Sequence, residues 1–95
     1  MEINSIPNAF QSKIRLSILT ALMSAEIEFS ELKKITETTD GNLSSHLSKL
    51  KDDNYIEVEK RFKNNKPNTL FRITPYGKKQ FIEYVKMLEA VIKNN

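Results

Sequence analysis

The stretch GNLSSHLSKLKDDNYIEVEKRFKNNKPNTLFRITP, residues 41–75, decides the fold, because a helical pattern gives way in it to an alternating one. Its first part carries Leu43, Leu47 and Leu50 at the spacing of one helix face. This spacing predicts a helix over about residues 41–53.

The second part of the stretch predicts a β-hairpin. Residues 55–62 alternate, with Ile56 and Val58 on one face and glutamates on the other, which is typical of a strand. The polar segment KNNKPN, residues 63–68, predicts a turn, and residues 70–73 return as a second strand. The hairpin is therefore expected to have a long, polar and basic tip.

Helices flank this stretch on both sides. A first helix is expected to begin near Asn8, followed by a short strand at residues 27–29 and a second helix at residues 30–35. After the hairpin, a threonine–proline pair is a typical helix start, and the last helix is expected over about residues 75–93. The order α-β-α-α-β-β-α describes an α+β, mainly α fold, and its tandem helices followed by a hairpin fit a winged helix-turn-helix.

Length and composition exclude several classes of protein. The 95 residues suffice for one domain, residues 1–95, with the hairpin at about 55–74 as its wing. Without cysteine, and with His46 as the one histidine, the chain offers no disulfide, no thiolate nucleophile and no multi-histidine metal site, so no cofactor is expected. No apolar run approaches the roughly 20 residues of a membrane span, and the N-terminus does not resemble a signal peptide. A cytoplasmic protein that is not an enzyme is expected, because no paired acid and base or activated nucleophile is visible.

The outer face of the helix at residues 41–53 is the first candidate binding surface. Opposite the leucines, the projected helix carries polar or charged side chains, namely Asn42, Ser45, Ser48, Lys49 and Asp52. Serine and asparagine let a helix approach base edges closely, and lysine can reach a phosphate or a guanine. A plain solvated helix face is the alternative explanation. His46, on the flank, is either a packing residue or a phosphate contact.

A run of positive charge is the second candidate. The net charge is only +3, yet residues 60–79 contain seven cations and no acid: Lys60, Arg61, Lys63, Lys66, Arg72, Lys78 and Lys79. Like charges gathered on one hairpin repel each other unless an anionic partner is present. The run therefore favours a surface that contacts phosphates beside a helix in the major groove.

The chain resembles the winged helix-turn-helix transcriptional regulators of the MarR/ArsR-like group, and more narrowly the small winged helix DNA-binding domain proteins. The resemblance rests on NLSSHLSKL, YIEVEK and LFRITPYGKK and covers nearly the whole chain. It implies a recognition helix with Asn42, Ser44, Ser45, His46, Ser48 and Lys49, and a wing whose Arg61, Lys63 and Lys66 reach the DNA backbone or the adjoining minor groove. The missing cysteines argue against metal sensing of the ArsR type, and the sequence identifies no effector ligand.

The resemblance also implies that the last helix forms a homodimer. Apolar side chains cover more of this helix than one contact within the domain needs, and those expected to pair two copies are Phe81, Tyr84, Val85, Leu88, Val91 and Ile92. A helix sunk into its own core is the alternative. The sequence thus predicts a homodimeric transcriptional regulator that binds double-stranded DNA with sequence specificity.

Two other functions stay open at this point. A winged-helix module can dock on a partner protein without binding DNA, because a fold does not fix a function. RNA binding shares the basic signal, although the chain lacks exposed aromatic residues on a sheet for base stacking.

Overall fold

The computed structural model describes residues 1–94, which form four α-helices and a three-stranded antiparallel sheet. In chain order the elements are α1 (Lys13–Leu22), β1 (Ile27–Glu28), α2 (Phe29–Thr36), α3 (Asp40–Asp52), β2 (Ile56–Lys63), β3 (Lys66–Ile73) and α4 (Pro75–Lys93). Strand β3 lies between β1 and β2 in the sheet. This arrangement confirms the predicted α+β winged helix-turn-helix with its C-terminal helix.

Helix α3 forms where the leucine spacing predicts it, with both ends one residue earlier than expected. The backbone of Thr39 is extended, and its hydroxyl caps the helix by accepting a hydrogen bond from the Asn42 N–H at 3.2 Å. After the helix, Asn54 takes a left-handed backbone with φ of 66°, which asparagine tolerates better than most residues. All three leucines of α3 are buried, so its polar face points outward.

The N-terminal segment corrects the expected early start of the first helix. Residues Asn8–Phe10 form a 3-10 turn at the expected helix start, and α1 begins only at Lys13. Ser12 is extended, and its hydroxyl caps α1 by accepting a hydrogen bond from the Arg15 N–H at 3.2 Å. The 3-10 turn instead carries the phenyl ring of its last residue into the core.

The hairpin has longer strands and a shorter tip than the sequence pattern predicts. Pairing of β2 with β3 continues to Lys63 opposite Lys66, so Asn64 and Asn65 alone form the turn. Both asparagines have positive φ, 55° and 61°, as the two central residues of a type I′ turn do. Pro67 does not interrupt β3, because it lies beyond the two residues of β3 that pair with β1.

One hydrophobic cluster joins α1, α2 and α3 to the sheet, and α4 packs against it with its first half. Phe81 and Tyr84 of α4 contact this cluster. The ring of Phe10 stacks on Tyr84 with centroids 4.6 Å apart. At the start of α4, the Thr74 hydroxyl accepts a hydrogen bond from the Gly77 N–H at 2.8 Å. The N-terminal half of α4 is thereby fixed to the base of the hairpin.

Candidate nucleic-acid interface

The outer face of α3 is open to solvent. Five of the six side chains predicted on the recognition helix are exposed: Asn42, Ser44, Ser45, Ser48 and Lys49. The ammonium of Lys49 lies 3.4 Å from the carboxylate of Asp53, one helical turn later. A salt bridge of 2.8 Å between Lys33 of α2 and Asp40 of α3 connects the two helices of the helix-turn-helix. The first turns of α3 therefore present short polar groups that allow another molecule to approach closely.

A groove separates α3 from the hairpin, and it contains two lysines: Lys60, which belongs to the predicted basic run, and Lys51, which the sequence did not single out. The groove is lined by Phe29, Ser44, Leu47, Ser48, Lys51, Val58, Lys60, Thr69 and Phe71. Within residues 1–94, Lys51 and Lys60 form no salt bridge. Strand alternation explains why Lys60 faces the groove, because it lies two residues beyond Val58 and shares its face of β2. Helix spacing could have found Lys51, which follows Ser48 by three residues.

His46 is half-buried and connects α3 to α1. Its Nδ1 accepts a hydrogen bond from Nη1 of Arg15 at 3.0 Å, and its proton is therefore on Nε2. The same guanidinium donates to the Asn8 carbonyl at 2.9 Å. Burial, reinforced by the positive charge of Arg15, lowers the pKa of His46 below its usual value. The imidazole is thus held neutral, and only its Nε2–H is left for another partner.

One carboxylate holds two of the three cations predicted on the wing. Glu28 of β1 accepts hydrogen bonds from Lys63 at 2.7 Å and from Nη2 of Arg61 at 3.3 Å. Arg61 also donates to the Asn68 side chain at 3.1 Å. The hydrogen bond from Lys63, followed by one from Asn68, lowers the pKa of Glu28 below its usual value. The third predicted cation, Lys66, is exposed and has no salt bridge within the described residues.

Arg72 does not belong to a free cationic surface. Its guanidinium lies 2.8 Å from Glu59, 2.9 Å from Glu26 and 3.9 Å from Glu57. The hydrogen bond between Arg72 and Glu59 lowers the pKa of the carboxyl and, together with the bond to Glu26, raises the pKa of the guanidinium. Arg72 is thus a link across the sheet.

Carboxylates from other parts of the chain therefore neutralise some of the positive charge of residues 60–79. Glu26 lies 46 residues from Arg72, and Glu28 lies 33 and 35 residues from Arg61 and Lys63, so only the sheet order β1-β3-β2 brings these acids and cations together. Within residues 1–94, Lys60, Lys66, Lys78 and Lys79 of this run form no salt bridge, and Lys51 of α3, which also forms none, joins Lys60 in the groove beside the hairpin.

The residues predicted to pair two copies of the chain divide into two groups along α4. Phe81 and Tyr84 pack against the core of their own domain. Val85 and Ile92 are 37% and 74% exposed, and the remaining two residues of the set, Leu88 and Val91, are half-buried. Met87 is buried, so the part of α4 that is accessible to a second molecule is formed by Val85, Leu88, Val91 and Ile92.

Other kinds of site find little support in the described part of the chain. No three histidine, aspartate or glutamate side chains among residues 1–94 are grouped so that they could hold a metal ion. No helix among these residues is long and apolar enough to cross a membrane.

The shape and the polar α3 face agree with what comparison with known proteins shows. The family model of the winged helix DNA-binding domain matches residues 14–92. The chain belongs to this family. One relative, uncharacterized protein MJ0432 of Methanocaldococcus jannaschii, is 35% identical over 86 residues, which cover 90% of this chain and 94% of that one.

Solved structures place this winged-helix protein beside transcriptional regulators. A transcriptional regulator homologue from Pyrococcus horikoshii superposes with a TM-score of 0.82 at 28% identity, over 90% of this chain and 85% of the other. A candidate transcriptional regulator of the MarR family from Enterococcus faecalis shares the fold with a TM-score of 0.82 at 20% identity, over 96% of this chain and 83% of the other. Family and fold together point to a DNA-binding regulator and not to an enzyme.

Proposed function

We propose that this protein is a homodimeric transcriptional regulator that binds double-stranded DNA with sequence specificity. Helix α3 enters the major groove, and Asn42, Ser44, Ser45 and Ser48 approach base edges there. The hairpin lies on the flanking phosphate backbone. The observation that carries the proposal is the groove between α3 and the hairpin, because serines and unpaired lysines share one open surface there.

The distribution of charge determines which cations meet phosphate in this arrangement. Lys51, Lys60 and Lys66 have no carboxylate partner in the described chain, so they can neutralise phosphates directly. Arg61 and Lys63 are also proposed contacts, but each must exchange Glu28 for a phosphate oxygen. Lys49 must likewise exchange the carboxylate of Asp53 for a phosphate oxygen.

The homodimer is supported by the apolar surface that α4 leaves uncovered. Val85, Leu88, Val91 and Ile92 follow one another on the second half of the helix face, beyond the part that packs on the core. A symmetric pair of such helices would bury this surface. Two recognition helices related by the same axis would then lie about 34 Å apart, one turn of duplex DNA.

Selection of bound duplexes from a random pool tests the DNA proposal. We expect recovery of a roughly palindromic site with half-sites about one helical turn apart. Lys51→Ala with Lys60→Ala should weaken binding of this site at least tenfold, since two phosphate contacts per protomer are lost. Lys93→Ala, on the last turn of α4, removes one positive charge from each protomer outside the groove and should leave the affinity nearly unchanged. Recovery of no enriched sequence would contradict sequence-specific binding.

Sedimentation equilibrium tests the dimer. The wild-type chain should show twice the 11.0 kDa of one copy. Ile92→Asp places a charge in the uncovered face and should shift the equilibrium to the monomer, because a buried unpaired charge is strongly unfavourable. Ile35→Asp, an exposed position on α2, is the matched control and should stay dimeric. A wild-type chain that remains monomeric at the concentrations of the binding assays would contradict the dimer.

A further inference from the structure

The apolar side chain of Phe62 lies outside the hydrophobic core. Its side chain is 77% exposed, the largest exposed fraction among the large apolar residues of the described chain. An exposed apolar residue by itself needs no explanation, since protein surfaces are about half apolar. Phe62, however, lies next to the hairpin tip, directly opposite Pro67. The two residues form one apolar point beyond the core.

The position of this apolar point relates it to the groove. Side chains alternate along β2, so Phe62 shares a face with Val58 and Lys60, the residues that line the groove beside α3. Phe62 lies four positions after Val58, which corresponds to about 13 Å along a strand. That reach is comparable to the roughly 12 Å width of the major groove. When α3 lies in that groove, the apolar point reaches the flanking backbone and the minor groove next to it.

The charges around the ring indicate the chemistry of its partner. Lys60 shares the face of β2 that carries Phe62, and Lys63 and Lys66 project from the opposite face at the hairpin tip. Lys60 and Lys66 form no salt bridge within the described residues. The hairpin tip thus presents an apolar pair that is flanked by positive charge. Its complement is apolar in the middle and negative at its edges, which describes a DNA minor groove with sugar faces between two rows of phosphates.

We propose that Phe62, supported by Pro67, is an apolar DNA contact that packs against deoxyribose and base edges in the minor groove flanking the α3 site. This proposal rests on the proposed function, since it needs α3 in the neighbouring major groove. Phenylalanine and proline are among the side chains that proteins press into the minor groove. Phe62 adds affinity without adding an ion pair, so its contribution is independent of counterion release.

Salt-dependent binding of Phe62→Ser and Phe62→Leu tests the contact. Phe62→Ser should weaken binding of the selected duplex about tenfold, the effect expected when roughly half of the ring surface is no longer buried. The slope of log affinity against log salt should stay unchanged, because no charge is removed. Phe62→Leu keeps the apolar surface and should retain most of the affinity. Hydroxyl-radical protection of the sugars flanking the α3 site should weaken in Phe62→Ser and not in Phe62→Leu.

The control variants separate this contact from the phosphate contacts and from the fold. Lys66→Ala should lower the salt slope by about 0.9 per protomer, which Phe62→Ser must not do. Ile35→Ser removes exposed apolar surface from α2 and should bind as the wild type does. Wild-type affinity and protection in Phe62→Ser would overturn the contact while leaving the proposed function intact. A wild-type chain that binds no duplex would overturn the proposed function, and with it the contact.

Discussion

Two glycine-to-alanine substitutions should change stability in opposite directions. In both, one methyl group is added near the N-terminus of a helix, Gly41 in α3 and Gly77 in α4. A Cβ atom at Gly41 would have no other atom within 4 Å. A Cβ atom at Gly77 would lie 2.3 Å from the carbonyl oxygen of Tyr55 and 2.9 Å from Cγ1 of Ile73. The pair thus compares the same chemical change with and without free space.

The expected magnitudes follow from these distances. Gly41→Ala should stabilise the domain by about 0.5 kcal/mol, because the unfolded chain loses more freedom than the helix. Gly77→Ala should destabilise it by about 1–3 kcal/mol, the usual range for overpacking. The Tyr55 oxygen cannot yield easily, since it accepts a hydrogen bond of 3.0 Å from the Thr74 N–H. Either α4 or the base of the hairpin must therefore move.

Thermal unfolding followed by circular dichroism, without DNA, measures both effects. For a domain of this size, roughly 4–8 °C of Tm correspond to 1 kcal/mol. We expect Gly41→Ala to raise Tm by about 2–4 °C and Gly77→Ala to lower it by about 4–24 °C on that scale. A Gly77→Ala protein at least as stable as Gly41→Ala would refute the close packing of α4 on the hairpin base.

Three further substitutions test other parts of the structure. The folded-state pKa of His46 is lowered, so the unfolded chain binds the proton first and stability should fall as the pH drops through about 6.5. In urea titrations, His46→Gln should reduce the difference between the free energies of unfolding at about pH 7.5 and pH 5.5. A difference as large as that of the wild type would contradict the neutral contact with Arg15. Glu28→Gln frees two wing cations, so duplex affinity should rise about threefold or more at low salt. The slope of log affinity against log salt should become steeper. Weaker binding in a salt titration would mean that Glu28 positions these cations for DNA. Thr74→Ala removes the α4 cap and should lower the free energy of unfolding by about 1 kcal/mol in urea titrations, whereas no change would contradict the cap.

Local patterns were sufficient to predict the elements that form α3 and α4. The spacing of Leu43, Leu47 and Leu50 determines both the helix and its buried face, and all three are buried in the structure. The threonine–proline pair at 74–75 marks the start of α4 because capping depends on neighbouring residues alone. The turn was harder to predict, since Asn64 and Asn65 adopt left-handed conformations while the residues around them extend the strands.

Charge at the candidate site could not be predicted from neighbouring residues. The run at 60–79 has no acid in sequence, yet Glu28 and Glu26 reach Arg61, Lys63 and Arg72 across the sheet. Such contacts depend on which strand pairs with which, and the sequence of a two-residue strand such as β1 does not specify its partner. The placement of His46 against Arg15 depends likewise on the packing of α1 against α3.

The salt dependence of duplex binding by the wild-type chain tests the proposed phosphate contacts. Anisotropy of a labelled duplex carrying the selected site would be measured across about 50–300 mM salt, the range in which counterion release dominates affinity. With Lys51, Lys60 and Lys66 of two protomers on phosphates, we expect a slope of log affinity against log salt of about −5, and a steeper slope for each of Arg61, Lys63 and Lys49 that exchanges its carboxylate for a phosphate. A slope near zero, or the same affinity for the selected and a scrambled duplex, would contradict the proposed function.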